Sequence, residues 1–378
     1  MSGDLRVLVD ATAVPTDRGG VGRYVDSLLP VLGQHDLDLV VVAQAADEEH
    51  YTKLCPSARV VPTPTVTASR PVRLAWEQVG LPRVIGAERP DVVHSPHYTR
   101  PLATKRPVVV SLHDATFFTH PERHQAVKRT FFRSWSRSSL RRAARCIVPS
   151  ASTRDELVRA AGASAERIDV VHHGVDRTVF FPPDQRQRAQ VRERLGLGDR
   201  RYVAFLGTLE PRKNLPNLVR GFARAGLGDD VSLVLAGGAG WDDALDGAVA
   251  EAAALGVDVV RPGFLPQEAL SGYLGGADVV AYPSHGEGFG LPVLEAMACG
   301  AAVLTTPHLA LPEVGGDAVA YTGTGPDEIA LALRDLLRDG ERRTELGDRG
   351  LRRAAGFTWA AAADAHIDVY RHAARLRP

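Results

Sequence analysis

Cysteine is scarce: Cys55, Cys146 and Cys299 are all that 378 residues carry. They are odd in number, far apart and without metal-ligand spacing. That excludes a disulfide framework and points to a reduced, cytoplasmic protein. Surplus charge is lacking too. The 45 basic and 45 acidic side chains cancel, so the whole chain has no pull toward nucleic acid or membrane, and any such pull must come from a local patch. No apolar run approaches the ~18–20 residues of a membrane span. The opening MSGDLRVLVD shows no signal-peptide pattern. A soluble protein is expected, with peripheral membrane contact left open. No HxxxH or similar set suggests a metal site. A dinucleotide fingerprint fails as well. Gly20 and Gly22 lack the third glycine, position 25 being Val, and AGGAGWDD (236–243) does no better. A nicotinamide enzyme is thereby excluded.

What the chain does have is length for two domains and 44% apolar residues in short β-branched runs. In the first half these are 5–10, 37–43, 91–96, 107–114, 146–150 and 168–173. In the second half they are 202–207, 231–237, 257–263, 278–284 and 301–306. Continuous apolar runs between helical stretches read as parallel strands covered on both faces. Two such series predict an α/β protein of two doubly wound, Rossmann-like domains facing a central cleft. The break falls in HHGVDRTVFFPPDQRQ (172–187), giving domains 1–178, completed by a C-terminal helix at 357–378, and 179–356. Ligands of such sheets bind at the carboxyl ends of the strands.

Several unusual polar segments fall at those ends. In PSHGEGFGLPVLEAMACG (283–300), Pro292 suits the first helical position and Gly300 the position past the end. The helix start, with Gly290 and Leu291, would offer backbone donors to a phosphate, and Gly286, Gly288 and Gly290 would let the backbone come close to a ligand. Glu295, one turn in, could bridge ribose hydroxyls, and Glu287 could accept from sugar hydroxyls. The bland alternative is a strand–helix connection with solvated acids. In LGTLEPRKNLPNLVRGF (206–222), Arg212 and Lys213 suit a diphosphate, although an RK pair alone is ordinary surface. Gly19, Gly20 and Gly22 precede a helix and give either a ligand loop or a plain glycine turn. His113, before Asp114 at the end of PVVVSLHD, either faces the ligand or is structural, as do His94, His97, His172 and His173. RHQAVKRTFFRSWSRSSLRRAARC (123–146) has eight Lys/Arg and no acid. It reads as a basic helix on an anionic membrane or as a solvated helix with aromatics packed inward. No nucleic-acid recognition motif accompanies it.

Together GGVGRY, SLHD, EPRKN, VHHGVD, PGFLP and the E-x7-E stretch GEGFGLPVLE resemble the retaining, nucleotide-sugar-dependent glycosyltransferases of family 4, which have the GT-B fold. The resemblance covers nearly the whole chain and is most like bacterial GDP-mannose-dependent mannosyltransferases. It implies acceptor binding in the N-terminal domain and donor binding in the C-terminal one. Glu287 would contact the donor sugar, Glu295 the ribose, and Arg212 and Lys213 the diphosphate. Gly288 and the amides near Phe289–Leu291 would support sugar and phosphate, with Gly19, Gly20 and Gly22 closing on the transferred sugar. His113 would sit at the reacting centre and Phe264, in PGFLP, against the base. The final helix would be FTWAAAADAHIDVYRHAARL (357–376). One departure is Thr208, where many relatives carry arginine five residues before the lysine kept here as Lys213.

The resemblance implies transfer of a hexose to a glycan or lipid-linked hydroxyl with no metal and no cofactor. A cytoplasmic location is expected, with contact at the inner face of the plasma membrane through the basic helix 123–146 left open. UDP- or ADP-glucose stays open as donor. A nucleotide-sugar epimerase and an inactive sugar-binding or scaffold protein are the other readings.

Overall fold

The computed structural model describes residues 5–15, 18–119, 126–228 and 230–376. The chain divides into two compact units, Met1–Gly174 with Thr358–Pro378, and Val175–Phe357.

The first unit holds seven strands: β1 (Leu5–Asp10), β2 (Leu37–Ala43), β3 (Arg59–Pro62), β4 (Val92–Ser95), β5 (Val108–Ser111), β6 (Arg145–Val148) and β7 (Ile168–Val170). They form one sheet in the order β3-β2-β1-β4-β5-β6-β7, with all neighbours parallel. Alternate residues of β1 feed opposite faces, as the pleat requires. Val7 and Val9 pack with Tyr24, Leu28 and Leu32 of the helix Gly19–Leu32 and with Trp359, Ile367 and Tyr370 of the helix Trp359–Arg375. Leu8 packs the other way, with Leu81, Ile85, Leu140 and Leu157. Both faces are dry, which is why these strands read as unbroken apolar runs.

The second unit holds β8 (Arg201–Leu206), β9 (Val231–Ala236), β10 (Val259–Gly263), β11 (Val279–Tyr282), β12 (Val303–Thr305) and β13 (Ala320–Tyr321). Its sheet runs β10-β9-β8-β11-β12-β13, again parallel throughout. In both sheets the order reverses once, between β1 and β4 and between β8 and β11. Such a switch point leaves a crevice at the carboxyl ends of the two central strands.

Several boundaries differ from the sequence reading. The strand expected over 107–114 ends at Ser111, because β6 supplies ladder partners only that far. His113 and Asp114 therefore lie in the loop beyond. The basic helix spans Ala126–Arg142 among the described residues, and Arg145 and Cys146 belong to β6; residues 123–125 lie outside the described residues. Its aromatics turn toward the domain: Phe132 stacks on Phe117 at 4.4 Å between ring centroids and meets Tyr98 at 5.0 Å. The glycines at 19, 20 and 22 do not precede their helix but form its first turn, which opens at Gly19 after Arg18 in a positive-φ conformation. The final helix begins at Trp359, while Phe357 belongs to the second unit. Among the described residues no helix is long and apolar enough to cross a membrane.

Candidate active site

The switch point of the second unit decides what comes together. The loop after β8 carries Arg212 and Lys213, and the loop after its neighbour β11 carries Glu287. Arg212 and Lys213 sit in a short 3-10 turn, Pro211–Lys213, closed by Asn214 in a left-handed conformation before the helix Leu215–Arg224. The Asn214 side-chain amide donates to the Pro283 carbonyl at 3.1 Å and to the Thr324 carbonyl at 2.8 Å. The amide of His285 donates to the Arg212 carbonyl at 3.0 Å. These bonds hold the two loops in one register.

Glu287 is buried and receives three donors. Lys213 Nζ gives one at 2.7 Å and Ser284 Oγ another at 2.8 Å, both to Oε1, while Arg212 pairs with Oε2. Burial alone would push this carboxyl up. The Arg212 and Lys213 charges outweigh it and hold the pKa down at about 2. Lys213 is buried as well, and desolvation followed by the Arg212 charge lowers its pKa, with Glu287 and then Glu210 pulling the other way. Arg212 is steadied by Glu210 at 2.6 Å and by the Gly286 carbonyl at 3.0 Å. Beneath Lys213 lies Tyr282, its ring centroid 4.8 Å from Nζ and its hydroxyl accepting from the ammonium. Burial and the nearby Glu287 keep that phenol neutral, and Phe205 stacks on its ring at 5.4 Å.

The helix after this loop spans Leu291–Ala298, one residue earlier than Pro292 suggested, because Pro292 takes the second helical position. Glu295 is its fifth residue, one turn in, and is buried. Its charge is felt at Tyr282 and at the buried Cys299. Gly290 caps the start at φ +105°, a conformation L side chains resist, and a Cβ there would meet Leu311 at 2.9 Å. Gly288 precedes it in the same loop. The Phe289 ring faces inward, edge-on to Phe357 at 6.0 Å, so only its backbone remains for a ligand. Phe264 follows the end of β10 and is 80% exposed, leaving its ring face open. Thr208 is exposed beside Gly207.

In the first unit the structure unites the glycine helix with His113 through Tyr24, whose ring lies 5.0 Å from that imidazole. His113 Nε2 donates to the Pro96 carbonyl at 2.6 Å, and burial lowers its pKa. It is therefore neutral at pH 7, with Nε2 committed as donor. His94 and His173 are buried and pushed down too, His97 to about 3. At this unit's own switch point lies a cluster that sequence reasoning missed. Arg73 donates to Glu77 at 2.8 Å and its charge acts on the buried Asp10; burial raises both acids, with Arg73 opposing. Thr99 Oγ1 donates to Glu77 at 2.6 Å. Asp10 ends β1, and that position was its one legible signal.

Glu210, Tyr282 and Ser284 were also missed, although Tyr282 ends β11 and could have been found from that position. Tyr282→Phe keeps the ring under Lys213 and removes the acceptor. A hydrogen bond to a charged group is worth ~1.5–3 kcal/mol. Its loss from beneath a buried ammonium is therefore expected to lower the thermal midpoint, measured by calorimetry.

Residues 18–179 match a family model described as Glycosyltransferase Family 4, and residues 187–353 match one described as Glycosyl transferases group 1. The chain is 29% identical to O-antigen chain mannosyltransferase B of Escherichia coli over 283 residues, 74% of each protein. It is 37% identical to D-inositol 3-phosphate glycosyltransferase of Kineococcus radiotolerans over 258 residues, which are 62% of this chain and 58% of that relative. Among solved structures, sucrose-phosphate synthase from Thermosynechococcus elongatus superposes with a TM-score of 0.78 at 20% identity, covering 97% of this chain and 98% of the other. Anabaena HepE, solved with UDP-glucose, gives 0.74 at 18%, covering 97% and 99%. Fold and family matches together define a glycosyltransferase of the GT-B type. Within that class the chain is akin to family 4.

Proposed function

We propose that the chain moves a hexose, mannose from GDP-mannose, to a hydroxyl of a glycan or glycolipid with retention at the anomeric carbon. The observation that carries this reading is the buried Arg212–Lys213–Glu287 constellation at the switch point of the second unit. Two cations fixed in advance beside a helix start suit the charge that develops on a departing diphosphate. Glu287 would meet the donor sugar, Glu295 the ribose and Phe264 the base. From the first unit, the helix start at Gly19, Gly20 and Gly22 and the loop with His113 would serve the transferred sugar. A carboxylate with a pKa of about 2 is a weak base and a weak nucleophile. It therefore suits neither a covalent intermediate nor proton removal. The reading that follows is attack on the donor's own leaving face. The bond from the anomeric carbon to the diphosphate oxygen breaks, the bond to the acceptor oxygen forms, and the acceptor's proton passes to the departing phosphate. The reading asks for no metal ion. The mannose assignment is supported by the Escherichia coli relative's name, and a lipid-linked acceptor by the exposed Arg137, Arg141 and Val127 on the basic helix.

Calorimetric titration with GDP, UDP and ADP, each with and without its common sugar, tests the donor. GDP-mannose is expected to bind preferentially, with the preference lost in Lys213→Ala. Preference for UDP- or ADP-glucose would move the reading to a glucosyltransferase. Indifference to all three would end it in favour of a binding or scaffold role.

A further inference from the structure

At the opposite edge of the first sheet, where β5, β6 and β7 begin, lies a recess of about 580 Å³. Six cations line it: Arg100, Lys105, Arg106, Arg142, Arg145 and Arg167. Glu166 is the one acid in the lining, and His372 adds an imidazole. The fold itself accounts for two of these cations. Arg167 donates to the carbonyls of Arg141 at 2.8 Å and Ala143 at 2.5 Å, past the end of the basic helix. Arg145 forks onto Asp169 at 2.6 and 2.7 Å and also reaches the Glu166 carbonyl. A helix C-terminus attracts cations, which accounts for Arg167, and the carboxylate of Asp169 on β7 accounts for Arg145.

Neither explains Arg100. This side chain is 6% exposed, and its Nε is buried with no hydrogen-bond partner. Its one side-chain bond is from Nη1 to the Pro101 carbonyl at 3.3 Å. A buried cationic donor left unsatisfied costs free energy that a fold ordinarily avoids. Beside it the charge of Arg142 repels it, and among the described residues no acid pairs with Arg142, Lys105 or Arg106. Like charges gathered round an unsatisfied buried guanidinium need an anion.

We propose that this recess is a second anion site, built for a small molecule bearing several phosphate charges. Forked guanidinium groups match phosphate oxygens. No Phe, Tyr or Trp lines the recess, so a nucleobase would find no ring to stack on and the phosphates are the recognised part. The same chemistry is offered by a free polyphosphorylated metabolite or by a phosphate-bearing lipid headgroup. The site stands in the first unit, and its existence does not depend on the donor reading of Arg212 and Lys213.

The test uses the full chain carrying Lys213→Ala, which weakens the other cationic site, and titrates it with inorganic tripolyphosphate. Binding near one equivalent is expected, weakening as salt rises. It should fall by roughly tenfold or more when the exposed Lys105 and Arg142 are replaced as Lys105→Glu and Arg142→Glu. Those two changes should leave GDP binding to the otherwise unaltered chain intact. Vesicles containing cardiolipin, a lipid with more than one phosphate charge, form the second arm. Sedimentation with vesicles that is lost in the double variant, without tripolyphosphate binding, would assign the anion to a lipid headgroup. Arg100→Met gives an independent reading. Without anion it should raise the thermal midpoint, since an unsatisfied buried charge is removed, and it should abolish stabilisation by tripolyphosphate. No binding to either probe, or equal binding by the Lys105→Glu/Arg142→Glu variant, overturns the proposal. A lowered midpoint in Arg100→Met overturns it as well, by showing that Arg100 serves the fold alone.

Discussion

Glu287→Gln is expected to slow release of nucleoside diphosphate from the sugar donor by roughly 10²–10³-fold, the usual cost of losing one preorganised electrostatic contact. It is also expected to move the alkaline limb of the pH–rate profile toward neutrality. In the proposed function Lys213 works as a cation, and its pKa is already lowered, first by burial and then by Arg212. Glu287 is the foremost influence raising it again, through charge and through the 2.7 Å hydrogen bond. Glutamine keeps the volume and removes the charge, so the ammonium loses its proton at a lower pH than before. Activity that needs the charged form is present below the lysine's pKa and disappears as pH rises through it. Lys213→Met separates the two effects. It should cost about as much turnover, yet show no shifted limb, because the titrating group is gone. Circular dichroism and the thermal midpoint check that each variant folds, since a buried partner left alone costs ~3–5 kcal/mol. A Glu287→Gln profile that superimposes on the unaltered one after scaling would show that Glu287 does not tune Lys213.

That coupling was not legible in the sequence, although each of its members was. The motif reading gave the cations to a diphosphate and Glu287 to a sugar, as separate tasks. Seventy-odd residues separate them along the chain, and only the adjacency of β8 and β11 in the sheet makes them partners. Sequence spacing carries no direct record of that adjacency. The strands were readable where both faces are dry, as in Val231–Ala236, every residue of which is buried. β3 and β13 were not found. Each is the last strand at one edge of its sheet, short, with exposed residues such as Arg59 and Tyr321, and β3 also holds Pro62. Edge strands lose the apolar signature because only one side is paired and less of the surface is covered. The inward turn of Phe132 in the basic helix was likewise open at the level of composition. It was settled by Phe117, which lies outside the basic run and could not be paired with it by periodicity.

The second large effect expected is acid destabilisation of the first unit between about pH 6.5 and 4, carried by histidines that are buried uncharged. His366 shows the physics most simply. It has 0% exposure, and its Nδ1 lies 2.6 Å from the Ala362 carbonyl, which can only accept, so Nδ1 carries the proton. Its Nε2 must then accept from the Tyr24 hydroxyl at 2.6 Å. Tyr24 oxygen is left to accept from Ser111 at 2.9 Å, Ser111 from His94 Nε2 at 2.9 Å, and His94 Nδ1 from Tyr370 at 2.8 Å. One direction of donation satisfies every member, and it pins the final helix to the helix Gly19–Leu32 and to β4 and β5. A proton added to His366 Nε2 would face a hydroxyl hydrogen. Burial accordingly drops its pKa to about 4, the Ala362 bond offsetting only part of the fall.

Unfolded, the same imidazole titrates near ~6.5. Between the two values the unfolded chain binds a proton that the folded chain refuses. Stability is therefore full above pH 6.5 and is lost as pH falls toward 4, by roughly 3 kcal/mol for His366 alone. His94 and His173, pushed well below the usual range, act in the same direction and deepen the loss. Urea unfolding followed by tryptophan fluorescence measures it. Trp359 stacks on His173 at 5.7 Å within this unit and should report its opening. His366→Gln should be less stable than the unaltered chain at pH 7.5, by ~1–3 kcal/mol for the unsatisfied Tyr24 hydroxyl, and the gap should narrow steadily toward pH 4.5. A gap that stays constant across that range would mean that His366 takes up its proton in the folded state as readily as in the unfolded one. The directed chain from Tyr370 to Ala362 would then have to be abandoned.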